Sequence, residues 1–215
     1  MTGTHAAPAV HDVDAILTRT PTVRRRLDLS RPVARPLIAE CLRIAQYAPN
    51  GGNRQDWRFV VIDAEETKAA VARYYKSASD AYLAAKPPGA MSERAVAGVR
   101  YLADHLHEVP ALVLAAARGR LAPDAPPAGR SAFFGSVYPA LWSFMLAARS
   151  RGLGTALTTV HLAHEREVAE LLGIPADEVT QVALVAVGHV TGGPDFRRPP
   201  RQPLDEVVSW NGWQG

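Results

Sequence analysis

Residues 45–62 read AQYAPNGGNRQDWRFVVI and contain three kinds of local signal in direct succession. The residues before Pro49 have helical character, and Pro49 ends it, because proline disfavours the helix at its own position and at the one before. Gly51 and Gly52 then permit backbone angles that are closed to other residues. The run Trp57–Ile62 is aromatic, β-branched and mainly apolar, which predicts a buried strand. The stretch therefore predicts an amide-rich turn between a helix and a strand, where polar groups can face a ligand.

Length and composition favour one globular body. The chain has 215 residues, of which 47% are hydrophobic, so it can bury a sizeable core. We expect a disordered leader over residues 1–11 and a single domain with a C-terminal extension over residues 12–215. The net charge of +3 suits a small anionic ligand. No long basic stripe with interleaved aromatic residues is present, which argues against nucleic-acid binding.

The cysteine and histidine content argues against a metal centre. Cys41 is the only cysteine, so neither an intrachain disulfide nor a cysteine cluster for zinc or iron–sulfur can form. His161 and His164 have metal-like spacing but no third ligand at a recognisable offset, and we expect both histidines to be solvated. No secretory start and no apolar run of about 18 residues is seen, which predicts a cytoplasmic chain without a membrane span.

Hydrophobic periodicity predicts alternating helices and strands. A run that is apolar nearly all round, residues 136–152, predicts a helix in the core or at a subunit interface, with Pro139 in its first turn. The Pro-rich residues 119–130 predict a loop, which we interpret as a substrate-side flap. Trp210 and Trp213 predict that the C-terminus packs on a protein body, either its own or that of a partner chain. Further helices are predicted over residues 13–17, 37–45, 64–83, 92–107 and 165–172, and strands over 57–62, 110–117 and 179–188.

The order Pro-Asn-Gly-Gly-Asn-Arg-Gln-Asp-Trp over residues 49–57 resembles the Pro-Ser-Ser-x-Asn-x-Gln-Pro-Trp signature of the FMN-dependent nitroreductase family. Asn50 and Gly51 stand at the two serine positions, and Asp56 replaces the second proline. The resemblance implies that this turn binds the flavin ring or ribityl chain through amide and backbone groups. The residues concerned are Pro49, Asn50, Gly51, Asn53 and Gln55.

A second segment resembles the Arg-x-Ser-x-Arg/Lys element with which this family holds the FMN phosphate. Thr22 matches the serine and Arg24 the last basic residue, whereas Thr20 stands where the first arginine would be. Either Arg19 or Arg26 could replace that arginine.

Two later segments continue the resemblance in chain order. Residues 152–155, Gly-Leu-Gly-Thr, are similar to the family segment that leads to backbone N–H groups facing the flavin N5 and O4 atoms. That similarity implies the same role for Leu157, Thr158 and Thr159. Arg201 precedes Pro-Leu-Asp-Glu-Val and takes the place of the family's basic residue at the phosphate, with Arg198 as a second candidate.

Together the resemblance implies an α+β, nitroreductase-like fold: a central, mostly antiparallel sheet flanked by helices, in an intertwined homodimer. It implies FMN as cofactor, NADH or NADPH as a transient co-substrate, and a small organic acceptor such as a nitroaromatic or a quinone. The missing Rossmann fingerprint agrees with a nicotinamide that binds only transiently, which predicts ping-pong kinetics. No residue is assigned to catalysis, because the cofactor carries the electron chemistry. Two alternatives stay open: an FMN-binding storage or sensing protein without turnover, and an oxygen-dependent enzyme acting on reduced flavin.

Overall fold

The computed structural model describes residues 10–193 and 195–214. The chain separates into two compact units, one formed by residues 22–194 and the other by residues up to 21 together with those from 195 onward. Residues 1–9 of the predicted leader lie outside the described residues, and helix α1 spans Val10–Thr18. The prediction of a single domain over residues 12–215 stays a prediction.

The larger unit is built on a five-stranded antiparallel sheet. Its strands are β1 (Leu27–Asp28), β2 (Trp57–Ile62), β3 (Ala111–Arg118), β4 (Leu153–Thr158) and β5 (Val179–Val190). β5 is central, since it pairs with β1, β3 and β4, while β2 pairs with β3. Strands β2 and β4 therefore form opposite edges of the sheet.

Helices cover the sheet. Ser92 caps α4 by accepting a hydrogen bond from the Ala95 N–H at 3.2 Å, which fits the helix predicted from residue 92. The helices of this unit are α2 (Arg35–Ala45), α3 (Glu65–Ala84), α4 (Glu93–His105), α5 (Pro127–Ser150) and α6 (Glu165–Leu172).

One face of the sheet packs against α2 and α5 in the main hydrophobic core. Alternate residues of β3, Ala111, Val113, Ala115 and Ala117, point toward Leu141 and Phe144 of α5 in this core. Cys41 of α2 is fully buried in the same cluster, so its thiol packs as part of the core. The α+β class and the antiparallel, helix-flanked sheet are thereby confirmed.

Helix α5 corrects the predicted extent of both a helix and a loop. It begins at Pro127, nine residues before the predicted start, so that Pro139 lies inside it and the loop shortens to residues 119–126. Proline costs an interior hydrogen bond, but here Phe133 and Phe134 pack on the core ahead of it and extend the apolar face. Among the described residues, α5 is also the one helix long and apolar enough to cross a membrane. The core helix of a water-soluble protein meets the same criterion.

The smaller unit contains α1 and the C-terminal tail. The tail has a single 3-10 turn at Leu204–Glu206. Trp210 and Trp213 were predicted to pack on a protein body, but both side chains are exposed in the single chain, Trp213 to 92%.

Candidate functional site

The turn between α2 and β2 has an unusual backbone. Gly52 lies in the left-handed region with φ = 60°, and so do two residues that have side chains, Asn53 at 52° and Gln55 at 53°. Asparagine tolerates this region, whereas glutamine rarely adopts it. Strained backbone of this kind is typical of segments whose geometry serves a ligand.

Hydrogen bonds from inside and outside the turn hold this geometry. The Gln55 N–H donates to Asn50 Oδ1 at 3.0 Å, and Gln55 Nε2 donates to Asn53 Oδ1 at 3.2 Å. From α5, the Ser136 hydroxyl accepts a hydrogen bond from the Gly51 N–H at 3.0 Å and donates to Ala132 O. The turn is thus tied to the core helix through Ser136, a residue that no motif in the sequence marks.

Two cavities adjoin this turn. The first, of about 520 Å³, lies between the turn, the end of β3 and the first half of α5, and includes Asn50, Gly51, Gln55, Trp57, Phe133 and Ser136 in its lining. The second, of about 490 Å³, continues along α5 past Pro49. Apolar side chains with a few convergent amides and hydroxyls are typical of sites for planar organic ligands.

The segment Thr22–Arg26 docks on the opposite edge of the sheet. The Val23 N–H donates to Thr155 O of β4 at 2.8 Å, so two of the predicted cofactor-binding segments meet there. Gly154 permits this approach, because a Cβ atom at this position would lie 2.9 Å from Val190 Cγ2 and 3.0 Å from Val23 Cβ.

Arg24 and Arg26 of this segment differ in their hydrogen bonds. Arg26 donates through Nε to Thr191 O at 3.0 Å and through Nη2 to Gly193 O, so it links the segment to the end of β5. Arg24 is half-buried, and its side chain passes beside Gly98 of α4. Neither a carboxylate nor another acceptor binds its guanidinium in the described part of the chain. Thr22 is exposed.

The backbone groups at Leu157, Thr158 and Thr159 lie where β4 ends and the 3-10 segment Val160–His164 begins. β4 and β2 are separated by β5 and β3, that is, by three strand spacings or about 14 Å. The larger cavity has none of Thr22–Arg26 or Leu157–Thr159 in its lining. The structure therefore brings the predicted residues of the larger unit together in two groups, one at each edge of the sheet.

Arg198 and Arg201 belong to the smaller unit, where both are exposed.

His161 is not solvated, and that prediction was wrong. Its side chain is fully buried, because the 3-10 segment that contains it packs under α3. Burial lowers the pKa of the imidazole to about 4, while the nearby Glu165 carboxylate acts in the opposite direction. His164 is only partly exposed; its ring lies 5.4 Å from that of Tyr74 and its Nδ1 lies 3.4 Å from Glu167 Oε1.

The fold is shared with several proteins of known structure. Iodotyrosine deiodinase, solved with FMN and 3-iodo-L-tyrosine, superposes with a TM-score of 0.69 at 24% identity, over 94% of this chain and 99% of that one. A BluB-like flavoprotein from Clostridium difficile 630 gives a TM-score of 0.68 at 20% identity, over 95% and 99% of the two chains. A variant of the FMN and NADPH-dependent nitroreductase NfnB from sphigopyxis sp. strain HMH gives 0.65 at 24% identity, over 93% and 99%.

At these identities the superpositions establish the fold. The sequence itself matches the model of the nitroreductase family over residues 18–189, which is well over half of the chain. This match includes the 49–57 turn, the Thr22–Arg26 segment and β4. The chain therefore belongs to the nitroreductase family.

Proposed function

We propose that this protein is an FMN-dependent oxidoreductase that transfers reducing equivalents from NADH or NADPH to a small organic acceptor by a ping-pong mechanism, as a cytoplasmic homodimer. The observation that carries the proposal is the strained, amide-rich turn of a nitroreductase-family chain beside a cavity of about 520 Å³. When bound, FMN would supply the hydride and electron transfer, and the protein supplies grip, orientation and exclusion of water.

The donors present suit a flavin phosphate and its ring. Arg24 offers a guanidinium without a carboxylate partner among the described residues, which is the group expected opposite a phosphate. Thr22 adds a hydroxyl beside it, and Arg26 anchors the segment. In the turn, Asn50 Oδ1 accepts from the Gln55 N–H, which leaves the Asn50 side-chain N–H donors and the Gln55 side-chain Oε1 for a ligand. Backbone N–H groups at Leu157–Thr159 would face the flavin N5 edge. On the sequence resemblance alone, we also propose Arg198 or Arg201 as a phosphate ligand.

Two features favour a site shared by two chains. Two groups of predicted cofactor-binding residues lie at opposite edges of one sheet, about 14 Å apart. A single ligand can contact both kinds of group more easily if one chain supplies the first group and a second chain supplies the other. In addition, large apolar side chains on α5 and at or just after the end of α2 are exposed in the single chain: Ile44, Tyr138, Trp142 and Tyr47, the last to 91%. Because α2 and α5 are in contact, exposed apolar side chains on both helices favour a protein interface there.

The test is the absorption spectrum of the purified protein, with its mass in solution. We expect a yellow protein of about 46 kDa, twice the 23.1 kDa of one chain, whose flavin bands bleach when NADH or NADPH is added without oxygen. Initial rates at varied donor and acceptor concentrations should give parallel double-reciprocal lines. A colourless monomer that stays empty when offered FMN would refute the proposal. Bound flavin that neither nicotinamide bleaches would instead indicate a storage or sensing protein.

Replacing Ser136 with alanine should weaken FMN binding without unfolding the chain. The Gly51 N–H loses its acceptor on α5, which costs about 1 kcal/mol because water can replace the hydroxyl at this exposed turn. The FMN dissociation constant should therefore rise about fivefold, as measured by flavin fluorescence quenching. Ser150→Ala, at the far end of the same helix, is the matched control and should leave FMN affinity unchanged. Equal affinities for Ser136→Ala and wild type would show that Ser136 does not position the turn.

A further inference from the structure

Buried polar side-chain atoms without a hydrogen-bond partner occur on three elements of one layer of the molecule: α3, the 3-10 segment Val160–His164, and β5, where α3 and β5 each contact the 3-10 segment. Four such side-chain atoms occur among the described residues: Ser79 Oγ, both ring nitrogens of His161, and Gln181 Oε1. Ser79 and His161 are fully buried, and Gln181 is 2% exposed. A buried donor or acceptor without a partner lowers the stability of the folded chain, so we expect each of these atoms to have a hydrogen-bonding partner.

The three residues lie on elements that pack on one another. α3 carries Ser79 and packs against the 3-10 segment that contains His161, and β5, which carries Gln181, contacts the same segment. Glu165, directly after the segment, fixes Gln181: its backbone oxygen accepts from Gln181 Nε2 at 2.7 Å and its Oε1 from the Gln181 N–H at 3.1 Å. The free Oε1 of Gln181 thus belongs to the layer around the 3-10 segment.

The chemistry of these atoms selects the kind of ligand. A neutral imidazole has one donor and one acceptor, the serine hydroxyl has both functions, and Gln181 Oε1 only accepts. A water molecule donates two hydrogen bonds and accepts two, so it can serve all three residues. A metal ion suits the layer poorly. The described residues contain no group of three His, Cys, Asp or Glu side chains that could hold a metal ion, and Glu165 already accepts from Arg120 at 2.6 Å and 3.2 Å.

We propose that this layer holds structural water that bridges His161 to Ser79 and Gln181, and that His161 is thereby a positioning residue for the turn at the end of β4. That turn is otherwise held by only a few bonds. The Val160 N–H donates to Thr158 Oγ1 at 3.3 Å, and the Leu162 N–H donates to Thr159 O at 3.0 Å. The water site needs no cofactor, so a test of the water site does not depend on whether the proposed function is correct.

A crystal structure of the full chain that shows ordered solvent is the first test. We expect density for a water within hydrogen-bonding distance of a His161 ring nitrogen and of Ser79 Oγ or Gln181 Oε1. A rotated His161 side chain that bonds directly to another protein group, or a dry layer, would overturn the proposal. This test requires no variant and gives the same answer whether or not the protein contains flavin.

A double-mutant cycle in thermal unfolding is the second test. His161→Phe and Ser79→Ala should each lower Tm by about 2–10 °C, since each removes one partner of the same water. The double variant should lower Tm by clearly less than the sum, because the shared water is lost only once. Ser77→Ala, an exposed serine on the same helix, is the matched control and should be additive with His161→Phe. Strict additivity of Ser79→Ala would overturn the bridge, and if His161→Phe does not fold, the crystal structure of the wild type decides.

Discussion

Acidification from about pH 7 to about pH 4 is expected to lower the free energy of unfolding by about 3 kcal/mol through His161 alone. The pKa of this imidazole falls from 6.5 in the unfolded chain to about 4 in the folded one, because burial penalises the charged form. Between these two values the unfolded chain binds more protons than the folded chain. The stabilisation is therefore complete above pH 6.5 and is lost progressively as the pH falls to about 4.

Urea unfolding at a series of pH values measures this effect, with His161→Phe as the comparison. The variant cannot titrate at this position, so its unfolding free energy should fall less steeply with pH over the same window. His189, whose pKa is also lowered by desolvation, contributes equally to both proteins and cancels in the comparison. Parallel pH profiles for wild type and variant would show that His161 does not become charged on unfolding.

Replacing Gly154 with alanine is expected to destabilise the chain by about 2 kcal/mol. The added Cβ would lie 2.9 Å from Val190 Cγ2 and 3.0 Å from Val23 Cβ, so two strands and the Thr22–Arg26 segment must move apart. The movement weakens the bond from Val23 N–H to Thr155 O, which holds Arg24 beside β4. We therefore expect both a lower urea midpoint and weaker FMN binding.

Gly135→Ala is the matched control for this substitution. No heavy atom outside its own helix backbone lies within 4 Å of a Cβ built there, and the residue is inside α5. Alanine should stabilise the helix at this position by about 0.5–1 kcal/mol. A Gly154→Ala variant as stable as wild type would mean that β4 and the Val23 segment separate without cost.

Elements with strong local signals could be predicted from the sequence. β2 at Trp57–Ile62 and α6 at Glu165–Leu172 have the predicted bounds, because β-branched residues and a helical apolar period specify them locally. β4 was described only as a segment with a backbone role, since Leu-Gly-Thr-Ala-Leu-Thr has little strand character and its partner β5 lies far along the chain. Pro139 predicts a helix start, whereas packing on the core carries α5 through this residue, so that the helix begins at Pro127.

The candidate site shows the same division between local and tertiary information. The turn at residues 49–57 is recognisable from its residue order, but its contact with Ser136 spans 85 positions and a serine inside a helix gives no signal of it. The sequence predicts a solvated His161, because a His-x-x-His pair ahead of a short helix is typical of an exposed helix N-terminus, yet α3 buries it. The identity of a residue does not encode which helix will cover it. The left-handed backbone at Gln55 likewise depends on the hydrogen bonds that Gln55 donates to the side-chain oxygens of Asn50 and Asn53, and not on the preference of glutamine itself.

The separation of the two groups of predicted binding residues on opposite edges of the sheet has a thermodynamic consequence for the proposed shared site. A ligand held by one group from each of two chains binds only the associated form, so its affinity and the affinity between subunits are reciprocally linked. Dilution would then release the ligand as the subunits dissociate, and excess ligand would hold them together. The fraction of protein that retains the prosthetic group would thus vary with protein concentration. In a site contained within one chain, dissociation of subunits would not release it.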